Sequence, residues 1–289
     1  MQRKNLPQES AAIPKKLLIV NDMAGFGRCS LTIALPIVSA CKVQAVPVPT
    51  SIFSNHTGFP AYYKKDMTVY LTDYLTQLDQ TAGQFDGIYC GYFGSLMQLH
   101  ILDDYIHRHN RGAAAFPLVV IDPVMGDHGV PYRSMTADFC QQMKQFMKNA
   151  TLLTPNITEA CLLTDTPYHD GCWTNEELSA IMDKLSAYGA KQIVITGICD
   201  GSFFYNYIRD AGREDAVISV PVSGSSRPGT GDIFASIAAA LTLRGYPLSD
   251  VVRLASDFIA ACTLASDRAG VPVQEGVIFE DFLQQLAGI

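Results

Sequence analysis

Short apolar, β-branched runs alternate along this chain with longer segments whose apolar residues recur every three or four positions. The first kind suits strands buried on both faces, the second amphipathic helices. Strands are predicted over 17–20, 43–48, 87–90, 118–121, 152–154 and 192–196, with two closer-spaced runs at 202–208 and 216–220 that read as a meander. Helices are predicted over 30–40, 68–80, 97–109, 136–148, 157–164 and 175–188, and three more at 232–244, 248–266 and 279–286 close the chain. Such alternation requires crossover connections, hence a mostly parallel central sheet with helices on both faces. The expectation is one doubly wound α/β domain over 16–289, behind a flexible arm of residues 1–15.

The polar and glycine-rich clusters follow strand ends. Asn21 to Gly27 succeeds the first strand, Asp122 to Asp127 the fourth and Pro155 to Glu159 the fifth, while Thr196-Gly197 closes the sixth. Open α/β sheets bind ligands at the carboxyl ends of their strands. Each cluster alone reads as turn chemistry; all of them on one edge read as a site.

Composition narrows the partners. A formal net charge of −7 and a pI near 5.3 argue against nucleic acid and anionic membranes, since phosphate attracts basic surfaces. No stretch of about twenty apolar residues offers a membrane span. The polar segment 1–16 lacks the apolar region of a secretory signal. Eight scattered cysteines without a C-x-x-C pair fit reduced thiols and a cytoplasmic protein.

The most informative segment is Gly229-Thr230-Gly231-Asp232, which opens an alanine-rich helix. Free N–H groups and the positive end of the dipole converge at a helix N-terminus and make an anion hole. An aspartate beside that hole suits a base that takes a proton from an attacking hydroxyl; it also suits a plain helix cap. No Walker A loop is present, and Gly25-x-Gly27 lacks the third glycine of a dinucleotide fingerprint.

Phosphoryl transfer requires cations to neutralise charge on the nucleotide, and magnesium needs only one or two carboxylates. Asp122, Asp127 and Glu159 all fall in strand-to-loop transitions of one sheet edge. Asn156 is placed to cap the helix carrying Glu159, so a purely structural role stays open for that pair.

Together these motifs resemble those of the ribokinase superfamily, and most of all its pyridoxal (vitamin B6) kinases. Gly229-Thr-Gly-Asp232 is similar to the superfamily signature. Asp122-Pro-Val-Met-Gly-Asp127 and Thr154-Pro-Asn-Ile-Thr-Glu159 are similar to paired motifs of its vitamin-kinase branch. Ser54-Asn-His-Thr-Gly-Phe59 and Gly91-Tyr-Phe-Gly-Ser95 resemble two loops of the pyridoxal kinases. The match runs in order from about residue 16 to about residue 265.

The resemblance implies a ribokinase-like fold and ATP-dependent phosphorylation of a B6 vitamer on its hydroxymethyl group, with Mg2+ and a monovalent cation such as K+. It makes Asp232 the catalytic base and Gly229, Thr230 and Gly231 the anion hole. Asp122, Thr154 and Glu159 would serve the metals. Asp127 and Thr196 would lie near the ATP phosphates, with Arg227 reaching the nucleotide and 223–228 forming part of a lid. Asp22, Phe53, Thr57 and Tyr92 would line the substrate site. A homodimer is also implied.

Two positions depart from the family pattern: Asp22 stands where a serine is usual, and Phe59 where a tyrosine is usual. The Asp22 charge suits a cationic or hydroxyl-bearing ligand group; it also suits a residue that organises the loop or reaches a bound cation. The readings in competition are a hydroxymethylpyrimidine (phosphate) kinase, a sugar or nucleoside kinase, and a silent B6-binding protein. The first usually has cysteine at the position of Asp232. The second lacks the Ser54 to Gly58 stretch and carries an N-terminal lid sheet not evident here. The third has no reason to keep Asp232 and its glycines.

Overall fold

The computed structural model describes residues 13–110, 116–133 and 135–289. The expected arm of residues 1–15 lies almost wholly outside the described residues. The elements in chain order are β1 (Lys16–Phe26), α1 (Ser30–Ala40), β2 (Gln44–Asn55), β3 (Lys64–Asp66), α2 (Thr68–Ala82), β4 (Gly87–Cys90), α3 (Leu96–Asn110) and β5 (Leu118–Ile121). A small hairpin, β6 (Gly126–Asp127) and β7 (Val130–Pro131), precedes α4 (Ala137–Phe146), β8 (Leu152–Leu153), α5 (Ile157–Thr164) and α6 (Asn175–Ser186). The antiparallel run β9 (Gln192–Cys199), β10 (Phe203–Asp210) and β11 (Ala216–Pro221) leads to α7 (Thr230–Arg244), α8 (Leu248–Arg268) and α9 (Leu283–Ala287).

Apart from the β6–β7 hairpin, the strands form one sheet in the order β11-β10-β9-β8-β5-β4-β1-β2-β3. All pairs from β9 to β2 are parallel; the two pairs joining β9, β10 and β11, and the β2–β3 pair, are antiparallel. Alternation along each central strand feeds two cores. Leu18, Val20, Ile88, Cys90, Val119 and Ile121 face α2 to α6, whereas Leu17, Ile19, Tyr89, Leu118 and Val120 face α1, α7, α8 and α9. This is the doubly wound, ribokinase-like arrangement expected.

Register turns the polar clusters into a row. Val20, Cys90, Ile121 and Leu153 stand side by side across the four central strands. The residue after each is therefore Asn21, Gly91, Asp122 and Thr154, all at the same height on the sheet edge. Backbone bonds extend the ladder one step to reach them: Gly91 N–H donates to Val20 C=O, Asp122 to Cys90 and Thr154 to Ile121.

Two expectations need correction. β1 does not end at residue 20 nor β2 at residue 48: both run past the row, to Phe26 and Asn55, and β3 pairs against β2. A bulge between Asn21 and Met23 shifts the register there, which twists a strand and re-aims its side chains. The polar letters Asn21 and Asp22 had read as a loop, because strand propensity ignores pairing available only in the folded sheet.

Candidate active site

Asp232 is the third residue of α7. Its Oδ1 accepts from Asn21 Nδ2 at 3.1 Å and its Oδ2 from the Ser30 N–H at 2.8 Å. So the side chain does not cap its own helix; it reaches across to β1 and to the start of α1. Gly229 precedes the helix at φ +88°, and a Cβ there would lie 2.2 Å from the Arg28 carbonyl oxygen, so only glycine fits. At Gly231 an added Cβ would meet nothing within 4 Å, because that face of the turn opens onto the cleft. Enclosure by protein pushes the Asp232 carboxyl above its usual range, and the bonds from Ser30 and Asn21 partly oppose that.

A cleft of about 340 Å³ lies against this helix start and collects Asp122, Asp127, Thr154, Glu159, Thr196 and the three residues of the anion hole. Thr154 Oγ1 donates to Asp122 Oδ1 at 3.4 Å. Loss of solvent, followed by the charges of Glu159 and Asp232, drives the Asp122 carboxyl well up. Glu159 is also pushed up by burial. It completes a capping box on α5: Asn156 Oδ1 accepts from the Glu159 N–H, and Glu159 Oε2 accepts from the Asn156 N–H. Its other oxygen accepts from the Met125 N–H at 2.9 Å. Glu159 thus pins the segment that follows β5 to the helix start while facing the cleft. Asp127, on the β6–β7 hairpin, is more exposed and accepts from the His128 N–H.

On the other side of Asp232 lies an aromatic recess. Asp22 is 7% exposed and accepts from Ser30 Oγ–H at 2.7 Å. Burial pushes its carboxyl up to about 7, helped by Asp232 and opposed by Ser30 and Lys64. Phe53 packs edge-on to Tyr92 and Tyr62, at 6.2 and 5.7 Å between centroids. Asn21 joins the halves: besides donating to Asp232, its Oδ1 accepts from the N–H groups of Tyr92 and Asp22 at 2.9 Å each. Gly91 is bare for the same reason, since a Cβ there would lie 2.7 Å from Asn21 Nδ2.

The structure therefore brings together Asp22, Phe53, Tyr92, Asp122, Asp127, Thr154, Glu159, Thr196, Gly229, Thr230, Gly231 and Asp232. Arg227 departs from expectation. It is 6% exposed, and all five of its N–H groups have protein partners: two on Asp267 and the rest on the carbonyls of Val271, Pro272 and Gly276. That leaves nothing for a phosphate. The 223–228 loop is likewise fastened to α8, with Ser223 Oγ donating to Ala260 C=O and the Ser225 N–H to Asp267, so it is not a free lid. Thr57 is not gathered in: it stands exposed on the turn after β2. His56 braces that turn, accepting from the Gly58 N–H and bonding the Gln274 carbonyl at 2.7 Å.

Sequence reasoning missed Asn21, Ser30 and Lys64 as site residues. Asn21 carried a signal, a polar residue at a strand end beside an acidic one. Ser30 acts mainly through its backbone, and Lys64 sits in a three-residue edge strand, so neither left a pattern to find.

An open edge of a doubly wound sheet with a glycine-rich helix start, a half-enclosed aspartate and a carboxylate cluster defines a phosphoryl-transfer site of ribokinase-like type. The phosphomethylpyrimidine kinase family model matches residues 39–276, and the chain belongs to that family. A Bacteroides thetaiotaomicron protein provisionally assigned as a phosphomethylpyrimidine kinase superposes with a TM-score of 0.89 at 31% identity, covering 97% of this chain and 96% of that one. A crystal form of it with pyridoxal matches with a TM-score of 0.85 at 30% identity, over 96% of each chain. Pyridoxal kinase from Lactobacillus plantarum superposes with a TM-score of 0.86 at 27% identity, over 95% of this chain and 97% of its own. The pyridoxine/pyridoxal/pyridoxamine kinase of Bordetella bronchiseptica is 25% identical over 260 residues, 86% of this chain and 89% of its own. Among the described residues no helix is long and apolar enough to cross a membrane.

Proposed function

We propose that this chain is an ATP-dependent B6 vitamer kinase that phosphorylates the hydroxymethyl group of pyridoxal, pyridoxine or pyridoxamine. The observation that carries the reading is the position of Asp232, between a cleft with an anion-binding helix start and an aromatic recess. The same side chain can reach a hydroxyl presented from the recess and a phosphoryl group resting on the N–H groups of Thr230 and Gly231. The crystal form of the Bacteroides relative with pyridoxal and the names of the other two relatives favour a pyridine ring over a pyrimidine.

In this mechanism Asp232 accepts the hydroxyl proton as the oxygen attacks the γ-phosphorus in line. Its raised proton affinity makes it a better base, and Asn21 and Ser30 aim it. The N–H groups at the start of α7 receive the charge on the transferred group. Asp122, Asp127, Glu159 and Thr154 form an acidic wall with no lysine or arginine bonded to it among the described residues. A divalent cation accompanied by nucleotide oxygens and waters fits such a wall. Mg2+ held by Asp122 and Glu159 would screen the phosphate charge, and K+ beside Asp122 and Thr154 would do the same at the sheet edge. Asp127 and Thr196 would border the nucleotide. We assign the protein to the cytoplasm and to a homodimer on family resemblance.

The test is ATP consumption by purified protein with Mg2+, comparing the three vitamers with 4-amino-5-hydroxymethyl-2-methylpyrimidine. Turnover of the vitamers supports the reading; turnover of the pyrimidine alone moves the chain to the hydroxymethylpyrimidine kinases.

A further inference from the structure

Lys64 lies on β3, the edge strand, all of whose residues are charged and exposed. Its ammonium nevertheless sits over two rings of the recess, 5.4 Å from the Phe53 centroid and 5.7 Å from the Tyr92 centroid. It donates to Tyr92 Oη at 3.4 Å. Register holds it there, since Lys64 is the cross-strand partner of Phe53. The bare backbone of Gly94 lets the strand come close, as a Cβ there would meet Asp66 Oδ2 at 3.3 Å and Lys64 Nζ at 3.4 Å. Among the described residues Lys64 forms no ion pair.

The recess also holds the buried Asp22 carboxyl, which faces Ser30, Cys29 and Asp232. An aromatic recess flanked by one ammonium and one carboxyl matches a flat ligand with one charge of each sign. A 3-hydroxypyridine is such a ligand: its acidic phenol and basic ring nitrogen exchange a proton to give phenolate and pyridinium. A hydroxymethylpyrimidine has no phenol to ionise and forms no zwitterion.

We propose that Lys64 and Asp22 are the specificity-determining pair of this site and select a zwitterionic 3-hydroxypyridine, Lys64 receiving the phenolate and Asp22 the pyridinium N–H. The proposal rests on the B6 reading above and adds the residues that enforce it. Charge-assisted hydrogen bonds in a recess partly cleared of water are stronger than neutral ones. The same two charges left unmatched by a neutral ring penalise it. A pyridinium also relieves Asp22, whose ionisation is disfavoured by burial and by Asp232.

The experiment compares wild type, Lys64→Met, Lys64→Arg and Asp22→Asn on pyridoxine and on 3-deoxypyridoxine. Lys64→Met, which keeps the apolar stem over the rings, raises the KM for pyridoxine about tenfold or more and changes kcat much less. Its penalty on 3-deoxypyridoxine stays under about threefold, and Lys64→Arg recovers most of the pyridoxine loss. The near-ultraviolet band of pyridoxine bound without nucleotide is that of the zwitterion in wild type and moves toward the neutral tautomer in Asp22→Asn. Equal KM penalties on both pyridines, or a bound tautomer unchanged in Asp22→Asn, overturn the proposal while wild-type vitamer turnover keeps the B6 reading. Wild-type turnover of the pyrimidine with no pyridine turned over removes that reading, and the selecting pair with it.

Discussion

Asn21 and Asp232, separated by 211 positions in the chain, meet at 3.1 Å where the first strand crosses the start of α7. The bond lowers the proton affinity that burial raises in Asp232. Asn21→Ala removes it and raises the pKa of Asp232, so with Asp232 as the proposed base the acid limb of the kcat profile moves to higher pH. The change also orphans the N–H groups of Tyr92 and Asp22, at about 1–3 kcal/mol of stability. A pH–rate profile and denaturant melts check the two effects separately.

Replacing the proposed base, Asp232, separates chemistry from binding. Asp232→Asn keeps the shape of the side chain and lowers turnover about 10²–10⁴-fold. The anion hole is backbone, so calorimetric affinity for ADP stays near that of wild type. Full turnover in this variant would show that another group takes the proton.

The two glycines of the helix start behave differently. Gly229→Ala forces a methyl onto the Arg28 carbonyl at a left-handed φ and destabilises the fold by roughly 1–3 kcal/mol or more. Gly231→Ala has room and favours the helix by up to about 1 kcal/mol, yet puts a methyl on the face open to the cleft. Its melting temperature holds or rises while kcat/KM for ATP falls, which thermal melts and kinetics on the same samples reveal.

Arg227 ties the 223–228 loop to α8 and the segment behind it. Arg227→Ala leaves Asp267 Oδ1 and the Val271 and Gly276 carbonyls without these donors, while Ser225 still bonds Asp267 Oδ2 and the Glu275 N–H still bonds Pro272. It lowers stability by about 1–3 kcal/mol, with the KM for ATP moving by less than about threefold. A large rise in that KM at unchanged stability would restore Arg227 to the nucleotide.

Asp22 contributes a pH-dependent instability. Its pKa is raised from 3.8 to about 7, so the folded state binds its proton more tightly than the unfolded state. The stability this group lends is full below about pH 4 and is lost as pH rises through 7. Asp22→Asn therefore melts higher than wild type at pH 8, and the gap closes toward pH 5. Parallel pH-dependent melting curves expose the difference; a gap that grows on acidification would contradict the sign.

Local chemistry carried most of the fold. The boundaries of α1, α5, β4 and β5 match the apolar pattern, and at α5 the Asn156 capping box agrees with it. The glycine-rich helix start was legible for the same reason, being a short contiguous motif, and the acidic wall was legible as two such motifs, 122–127 and 154–159, each at a strand end. What the sequence by itself determined is therefore the doubly wound α/β class and, through its motifs, the resemblance to phosphoryl-transfer enzymes that singles out Asp232 as the candidate base. Only the tertiary structure decided that Asn21, Gly91, Asp122 and Thr154 stand in one row, since that depends on strand register. Only it tied the Arg227 N–H groups to Asp267 and three carbonyls, left Thr57 exposed and set Lys64 over Phe53 and Tyr92. Those placements arise from contacts between distant segments, and no periodicity along one segment encodes which distant surface it will meet.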